Sequence, residues 1–339
     1  MVTMEDVAKA AGVSRKTVYN VLNNNSDMMS KEVREQVLKC VKELNYKPSI
    51  AAQSLKTGKT NLIGVVLPNL YHPSYVAQLV DIEVEARKMG YNIIACNYDY
   101  KTDLEDYYFD MLYKRNVDGI IYQPFILDNI NYDIRTNVIK AKEMGFPIVV
   151  LCGFMEKSNF SRVVINEKKA IEDAINFFLK KGYKKPALIY CKYYEDFDYT
   201  KLNPNKYHQP RPYWYYTFCK KNNIEPQISV FFNEDNPLKE SVKDFLKKDT
   251  YDCIICENDH VAVTLYKYYK EIDKEPLPLL GFDNAEYGLI CSPKITTFSI
   301  DYSTVAKKAM EIVVGEIEGN KKPKKVVVDF EFFERESSK

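Results

Sequence analysis

The stretch MEDVAKAAGVSRKTVYNVLN, residues 4–23, carries two short apolar stripes separated by a glycine, and how it folds decides the reading of everything before residue 60. Thr3 and Asp6 are spaced as a capping box, and Val7, Ala8 and Ala11 follow at helical intervals, so a first helix is predicted from about Met4 to Ala11. Gly12 ends it. Ser14 is a good N-cap for a second helix in which Val18, Val21 and Leu22 share one face. Two short helices joined through a glycine turn form a helix-turn-helix unit. A third helix opens at Ser30 in SKEVREQVLKCVKELNY, where Val33, Val37, Val41 and Leu44 make a single stripe. The three stripes together suffice for an all-α mini-core.

The other face of the second helix presents Arg15, Lys16, Tyr19 and Asn20. Most polar helix faces are merely solvated, and these residues alone do not exclude that. Their chemistry points further: Arg and Lys bond guanine edges, Asn bonds adenine through two contacts, and Tyr meets phosphate or a thymine methyl. Charge supports the second reading. The first 60 residues hold 10 Lys and Arg against 6 Asp and Glu, whereas the remainder holds 38 against 41, within a chain whose net charge is only +1. A basic head with two aromatics, Tyr19 and Tyr46, on a near-neutral body fits a nucleic-acid module joined to something else.

After the head, KPSIAAQSLKTGKT runs from Pro48 into a Gly/Lys/Thr linker. A helix from Ser49 to Leu55 falls below the ~12 to 15 residues that stand alone in water, so it is expected to form only when docked. GKT at 58–60 is not a phosphate-binding loop, because Gln53 occupies the place of that motif's first glycine and no strand precedes it.

The body, from residue 61, alternates apolar strand-like runs with helical stretches. NLIGVVLP, YNIIACNYD, VDGIIYQPF and PIVVLCGF form one set; SRVVIN, KPALIYC, ISVFF, YDCIICEN and LPLLGFDN form another. Such alternation predicts two doubly wound, parallel-sheet α/β lobes, which take ligands at the carboxyl ends of their strands. With 339 residues, no apolar run reaches the ~18 to 20 residues of a membrane span. MVTMEDVAKA has no basic, apolar leader pattern, so a cytoplasmic location without membrane partners is expected.

Eight cysteines lie mostly inside apolar runs and read as buried, reduced core residues. Cys253 and Cys256 stand three apart on a strand, which sends their sulfurs to opposite faces and argues against a redox or zinc role. Three histidines, at 72, 208 and 260, lie far apart, and G-x-S-x-G, H-E-x-x-H and G-x-G-x-x-G are all missing. Neither an enzyme nor a metal or cofactor is expected. Acidic and amide side chains at strand ends, such as Asp283 and Asn284, suit hydroxyl recognition.

The segments MEDVAKAAGVS, KTV, VLN, VREQVLKCVKELNYKP and AAQSLKTGKTNLIGVVLP closely resemble the head and hinge of the LacI/GalR family of bacterial transcriptional regulators, and the resemblance runs the length of the chain. It implies a helix-turn-helix domain at 1–47, a hinge helix and linker at 48–60, and a periplasmic-binding-protein-like type I effector and dimerisation domain at 61–339. Within that domain it implies a first lobe at about 61–160 and 293–321 and a second at about 161–292 and 322–339. By the same resemblance Arg15, Lys16 and Asn20 meet major-groove bases beside Tyr19, and Ala52 and Leu55 enter the minor groove, with Leu55 wedged between base steps. Tyr19 and Asn20 depart from the family's usual Ser and frequent Arg, which implies a distinctive half-site with adenine opposite Asn20.

Residue by residue, the resemblance carries effector-binding roles to Tyr75, Asn166, Arg211, Asn258 and Asp283. Arg211 is also readable as a plain loop residue, since Pro212 and Trp214 break the family pattern. The implied protein is a homodimeric repressor of pseudo-palindromic, double-stranded operator DNA, controlled by a small molecule. The residue types favour a carbohydrate or sugar phosphate, with a purine or a phosphoprotein corepressor left open. The competing reading is a sugar-binding protein of transport or chemosensing. The C-terminal KVVVDFEFFERESSK shows no heptads for a further coiled coil.

Overall fold

The computed structural model describes residues 2–22, 29–47, 58–71, 73–124, 135–151, 160–192, 211–232, 245–248, 250–320 and 322–339. They belong to two compact units, Met1–Thr60 and Asn61–Lys339. The expected hinge helix, with Ala52 and Leu55, lies outside the described residues.

In the first unit, α1 (Met4–Ala10), α2 (Arg15–Leu22) and α3 (Lys31–Glu43) start where the sequence predicts. The Thr3 hydroxyl accepts from the Asp6 amide while the Asp6 carboxylate accepts from the Thr3 amide, a complete capping box. The Ser14 Oγ accepts from the Thr17 amide at 3.1 Å, and Gly12 turns the chain with φ of +60°. The core is small: Val7, Ala8, Ala11, Val18, Val21, Val37 and Tyr46, with Val41 and Leu44 packed against it. Gln36 ties α3 to the turn by donating to the Ala11 carbonyl at 3.0 Å.

The second unit consists of two six-stranded sheets. The strands are β1 (Leu62–Leu67), β2 (Asn92–Asn97), β3 (Gly119–Tyr122), β4 (Ile148–Leu151), β5 (Ser161–Ile165), β6 (Pro186–Lys192), β7 (Gln227–Phe232), β8 (Cys253–Cys256), β9 (Leu279–Phe282), β10 (Thr296–Ile300), β11 (Lys325–Val328) and β12 (Phe330–Phe333). The first sheet has the order β11-β5-β4-β3-β1-β2 and is parallel throughout. The second has the order β12-β10-β9-β8-β6-β7, with β12 antiparallel to β10. Helices cover both faces, which is why strands such as β3, β4, β8 and β9 are buried at every position. On the first sheet, Ile63, Val65 and Leu67 face α4 (Pro73–Lys88) and α11 (Tyr302–Ile317), while Val66, Ile120 and Tyr122 face α5 (Thr102–Lys114) and α6 (Arg135–Glu143). On the second, Leu188, Cys253, Leu280 and Phe282 face α7 (Glu167–Lys180) and α8 (Arg211–Lys221), while Ile189, Cys256 and Leu279 face α9 (Asp259–Glu271). Cys253 and Cys256 thus lie on opposite faces of β8, and burial raises both thiol pKa values, leaving inert core residues.

The expected lobe limits need correction at three places. β5, at 161–165, belongs to the first sheet because it pairs with β4 and β11. β10, at 296–300, belongs to the second because it pairs with β9 and β12. The segment after residue 321 divides, β11 joining the first sheet and β12 the second. The chain therefore passes between lobes at single residues: Asn166 between β5 and α7, Asp301 between β10 and α11, and Asp329 between β11 and β12. Two of these also cap the next helix, Asn166 accepting from the Lys169 amide and Asp301 from the Thr304 amide.

Gly281 on β9 leaves the space that Asp259 fills: a Cβ there would lie 2.3 Å from the Asp259 Oδ1 and 3.1 Å from its Cα and backbone nitrogen. Because backbone atoms cannot swing aside, Gly281→Ala should cost about 1–3 kcal/mol, read as a lower urea midpoint with unchanged m.

Candidate DNA-reading face and effector site

On α2 the apolar face is sealed, with Val18 and Val21 buried, and the opposite face is open: Arg15 and Lys16 are exposed, Tyr19 and Asn20 half-buried. No carboxylate stands in the first turn of α2, so its positive N-terminal end and the two cations add together.

In the second unit the candidate effector residues cluster unevenly. Asn258 and Asp283 sit at the ends of β8 and β9, the positions where doubly wound sheets take ligands. Arg211 opens α8 and reaches both strands. Its Nη1 donates to the Glu257 carbonyl, next to Asn258, and its guanidinium lies 3.8 Å from the centre of the Phe282 ring, next to Asp283. Its Nε and Nη2 donate to the two Glu167 carboxylate oxygens at 2.9 and 3.3 Å. The pair is nearly dry, with side chains 13% and 11% exposed, so removal of either partner would cost about 3–5 kcal/mol. Burial works against the Arg211 charge, but Glu167, then Asp283 and Glu257, outweigh it and hold its pKa above the ordinary value. A plain loop role for Arg211 does not fit this setting.

Asn166 has both ends of its side chain engaged: Oδ1 caps α7, and Nδ2 donates to the Asp329 carboxylate at 2.8 Å, tying two of the crossings together. The Asn258 side chain caps α9 by accepting from the Val261 amide at 2.9 Å. Tyr75, on α4, packs against the first-lobe core.

Asp283 and Asn284 have φ of +98° and +53°, the first of which a side-chain-bearing residue rarely adopts. Several bonds hold this turn. The Asp283 amide donates to the Phe298 carbonyl at 2.8 Å, the Ala285 amide to the Asp259 carboxylate at 2.8 Å, and Arg335 Nη2 to the Asn284 Oδ1 at 2.6 Å. Glu167, Asp259 and Arg335 were absent from the sequence-based set. Glu167 and Asp259 each directly follow a residue in it, but their partners lie 44 and 26 residues away, and Arg335 lies 51 residues from Asn284. No local pattern announces such pairs.

Asp259 is fully buried, and burial lifts its pKa to about 7 against the pull of Thr297 and the Ala285 amide. The folded chain then keeps a proton that the unfolded chain releases near 3.8, so this group's contribution to stability is present below about pH 4 and is lost as pH rises through 7. Asp259→Asn keeps an acceptor for Ala285 and should flatten the fall in melting temperature across that window, as measured by calorimetry at several pH values.

Residues 3–49 match the lacI family of bacterial regulatory proteins, residues 60–200 the periplasmic binding proteins and sugar-binding domain of the LacI family, and residues 175–338 a periplasmic-binding-protein-like domain. The chain is 29% identical to the HTH-type transcriptional regulator RegA of Clostridium acetobutylicum, over 99% of both chains. It is 28% identical to the ribose operon repressor of Halalkalibacterium halodurans, over 95% of this chain and 92% of that one. Its fold superposes on the lac repressor dimer bound to operator and the anti-inducer ONPF with a TM-score of 0.82, at 18% identity and 99% coverage of each chain.

Proposed function

The chain belongs to the lacI family of bacterial regulatory proteins, and from that premise we propose that it is a DNA-binding transcriptional repressor whose operator affinity is set by a small polyhydroxylated effector. The observation that carries this reading is the first unit itself: a capped helix, a glycine turn and a second helix whose open face presents Arg15, Lys16, Tyr19 and Asn20. Arg15 and Lys16 supply phosphate and guanine contacts, and Asn20 supplies an adenine contact. The relatives are named as regulators rather than enzymes, which supports a non-enzymatic role. Among the described residues no helix is long and apolar enough to cross a membrane, and binding to operator DNA requires a cytoplasmic protein.

The effector reading draws on the second-lobe cluster of Arg211, Asn258 and Asp283, with Tyr75 and Asn166 contributed from the first lobe and the crossing. A transport or chemosensing protein would have no use for the basic head. A homodimer is supported by two exposed apolar stretches: Val76 and Val80 one turn apart on α4, and Tyr287, Leu289 and Ile290 on α10 (Glu286–Ile290). Unpartnered apolar faces of this kind suit a two-fold, self-complementary contact, and a dimer places two reading helices on a pseudo-palindrome. Effector binding would alter lobe closure and with it the docking of the hinge that contains Ala52 and Leu55.

Fluorescence anisotropy with DNA fragments from around the protein's own gene tests the reading. Salt-sensitive, sequence-selective binding is expected, and its complete absence at low salt would refute it. Asn20→Ala should cost about 1–3 kcal/mol and relax selectivity at a single operator position. Leu55→Ala should weaken operator binding without altering effector affinity. Asp283→Ala should abolish the effector response and leave DNA binding intact. Val80→Lys combined with Ile290→Lys should yield a monomer by light scattering, with operator affinity reduced more than tenfold.

A further inference from the structure

We propose that the effector carries neither phosphate nor carboxylate: the site takes a neutral or amine-bearing polyhydroxylated ligand, because the cation that would bind an anion is already committed to Glu167. This rests on the effector-site reading above and narrows it.

Around the β8 and β9 ends stand the carboxylates of Glu167, Glu257 and Asp283, all buried or half-buried. Arg211 and Arg335 lie among them. Arg335 is spent on structure, donating to the Ile295 carbonyl and to Asn284. Lys169 is held by Asp173 at 2.9 Å and by Asp329 at 3.5 Å. Arg211 remains, and Glu167 grips it through two parallel bonds, the geometry in which a guanidinium is best matched to an anion. Glu167 thus fills the place that a ligand phosphate or carboxylate would take.

An anionic ligand would either share Arg211 with Glu167 and add charge beside Asp283 and Glu257, or displace Glu167 and leave a nearly dry carboxylate without its partner. A hydroxyl faces no such obstacle. A guanidinium has five N–H bonds, and three of those on Arg211 are committed to Glu167 and the Glu257 carbonyl, so it can still donate to a sugar oxygen. The Asp283 carboxylate, on its fixed turn, accepts from hydroxyls and attracts an ammonium. The Phe282 ring sits beneath the guanidinium and holds its plane.

The test is a thermal-shift and titration screen of the full chain with pentoses, hexoses, disaccharides and hexosamines, each beside its phosphate ester and its sugar acid. The neutral or amine-bearing member of a pair should stabilise the protein, with the phosphate or acid at least tenfold weaker. Glu167→Gln, which frees Arg211, should narrow that ratio at least tenfold, whereas Glu167→Asp, which keeps the charge, should preserve it. A phosphate or acid that binds the parent as tightly as its neutral counterpart overturns the proposal, as does a ratio unmoved by Glu167→Gln. A neutral ligand whose binding is unaffected by Asp283→Ala overturns instead the site reading on which it rests.

Discussion

The body of this protein is constrained by the way its chain changes lobes: three times, through one residue each time, at Asn166, Asp301 and Asp329. A crossing of one residue has few free torsions, so relative movement of the lobes reduces to rotation about those bonds. The crossings are also linked. The Asn166 amide donates to the Val328 carbonyl and its side chain to Asp329, so two strands pass side by side and share hydrogen bonds. Glu167 comes directly after the first crossing and is the residue that grips Arg211. A ligand that drew on Arg211, as proposed, would act through Glu167, one residue from the pivot, where a small displacement becomes rotation of a whole lobe.

The same region concentrates energetic cost. A buried Arg–Glu pair, a fully buried aspartate with a raised pKa and a turn with φ of +98° lie within a few residues of one another. None of these stabilises a fold as well as apolar packing would. They persist because the surrounding β8, β9 and β10 strands and the Arg335 anchor over-determine them. What they provide is fixed geometry: donors and acceptors held at strand ends before a ligand arrives, so that binding does not also have to order them.

The legible parts of the structure are those that local chemistry dictates. Thr3, Gly12, Ser14 and Ser30 announce helix ends within three or four residues of sequence, and the head follows from them. Nine of the twelve described body strands declare themselves by apolar runs, whereas β10 (TTFSI), β11 (KVVV) and β12 (FEFF) carry polar residues and are not marked by the sequence pattern. Which sheet a strand joins is a different matter, since only the pairing partners of SRVVI and TTFSI, β4 and β11 for the first and β9 and β12 for the second, separate them. The site divides in the same way. Asn258 and Asp283 are visible as polar residues ending apolar runs, whereas the Glu167–Arg211 and Asp259–Ala285 bonds arise only when distant segments meet. The family resemblance carried Arg211 into the set but said nothing of the carboxylate that occupies it.

The head imposes the final condition on any mechanism. Its core consists of Val7, Ala8, Ala11, Val18, Val21, Val37 and Tyr46, and a unit of about 60 residues buries too little surface to be strongly stable. On the proposed reading, one such head alone would gain little beyond phosphate contacts. Two heads on the proposed dimer would act at a high effective concentration, so their joint affinity would exceed either alone by orders of magnitude. That affinity depends on the spacing of the pair. A coupling of about 1–3 kcal/mol, the usual yield of an effector, is small beside the free energy of folding yet amounts to roughly 5- to 150-fold in affinity. Control exerted on the geometry of the pair is therefore within reach of a ligand that touches neither head.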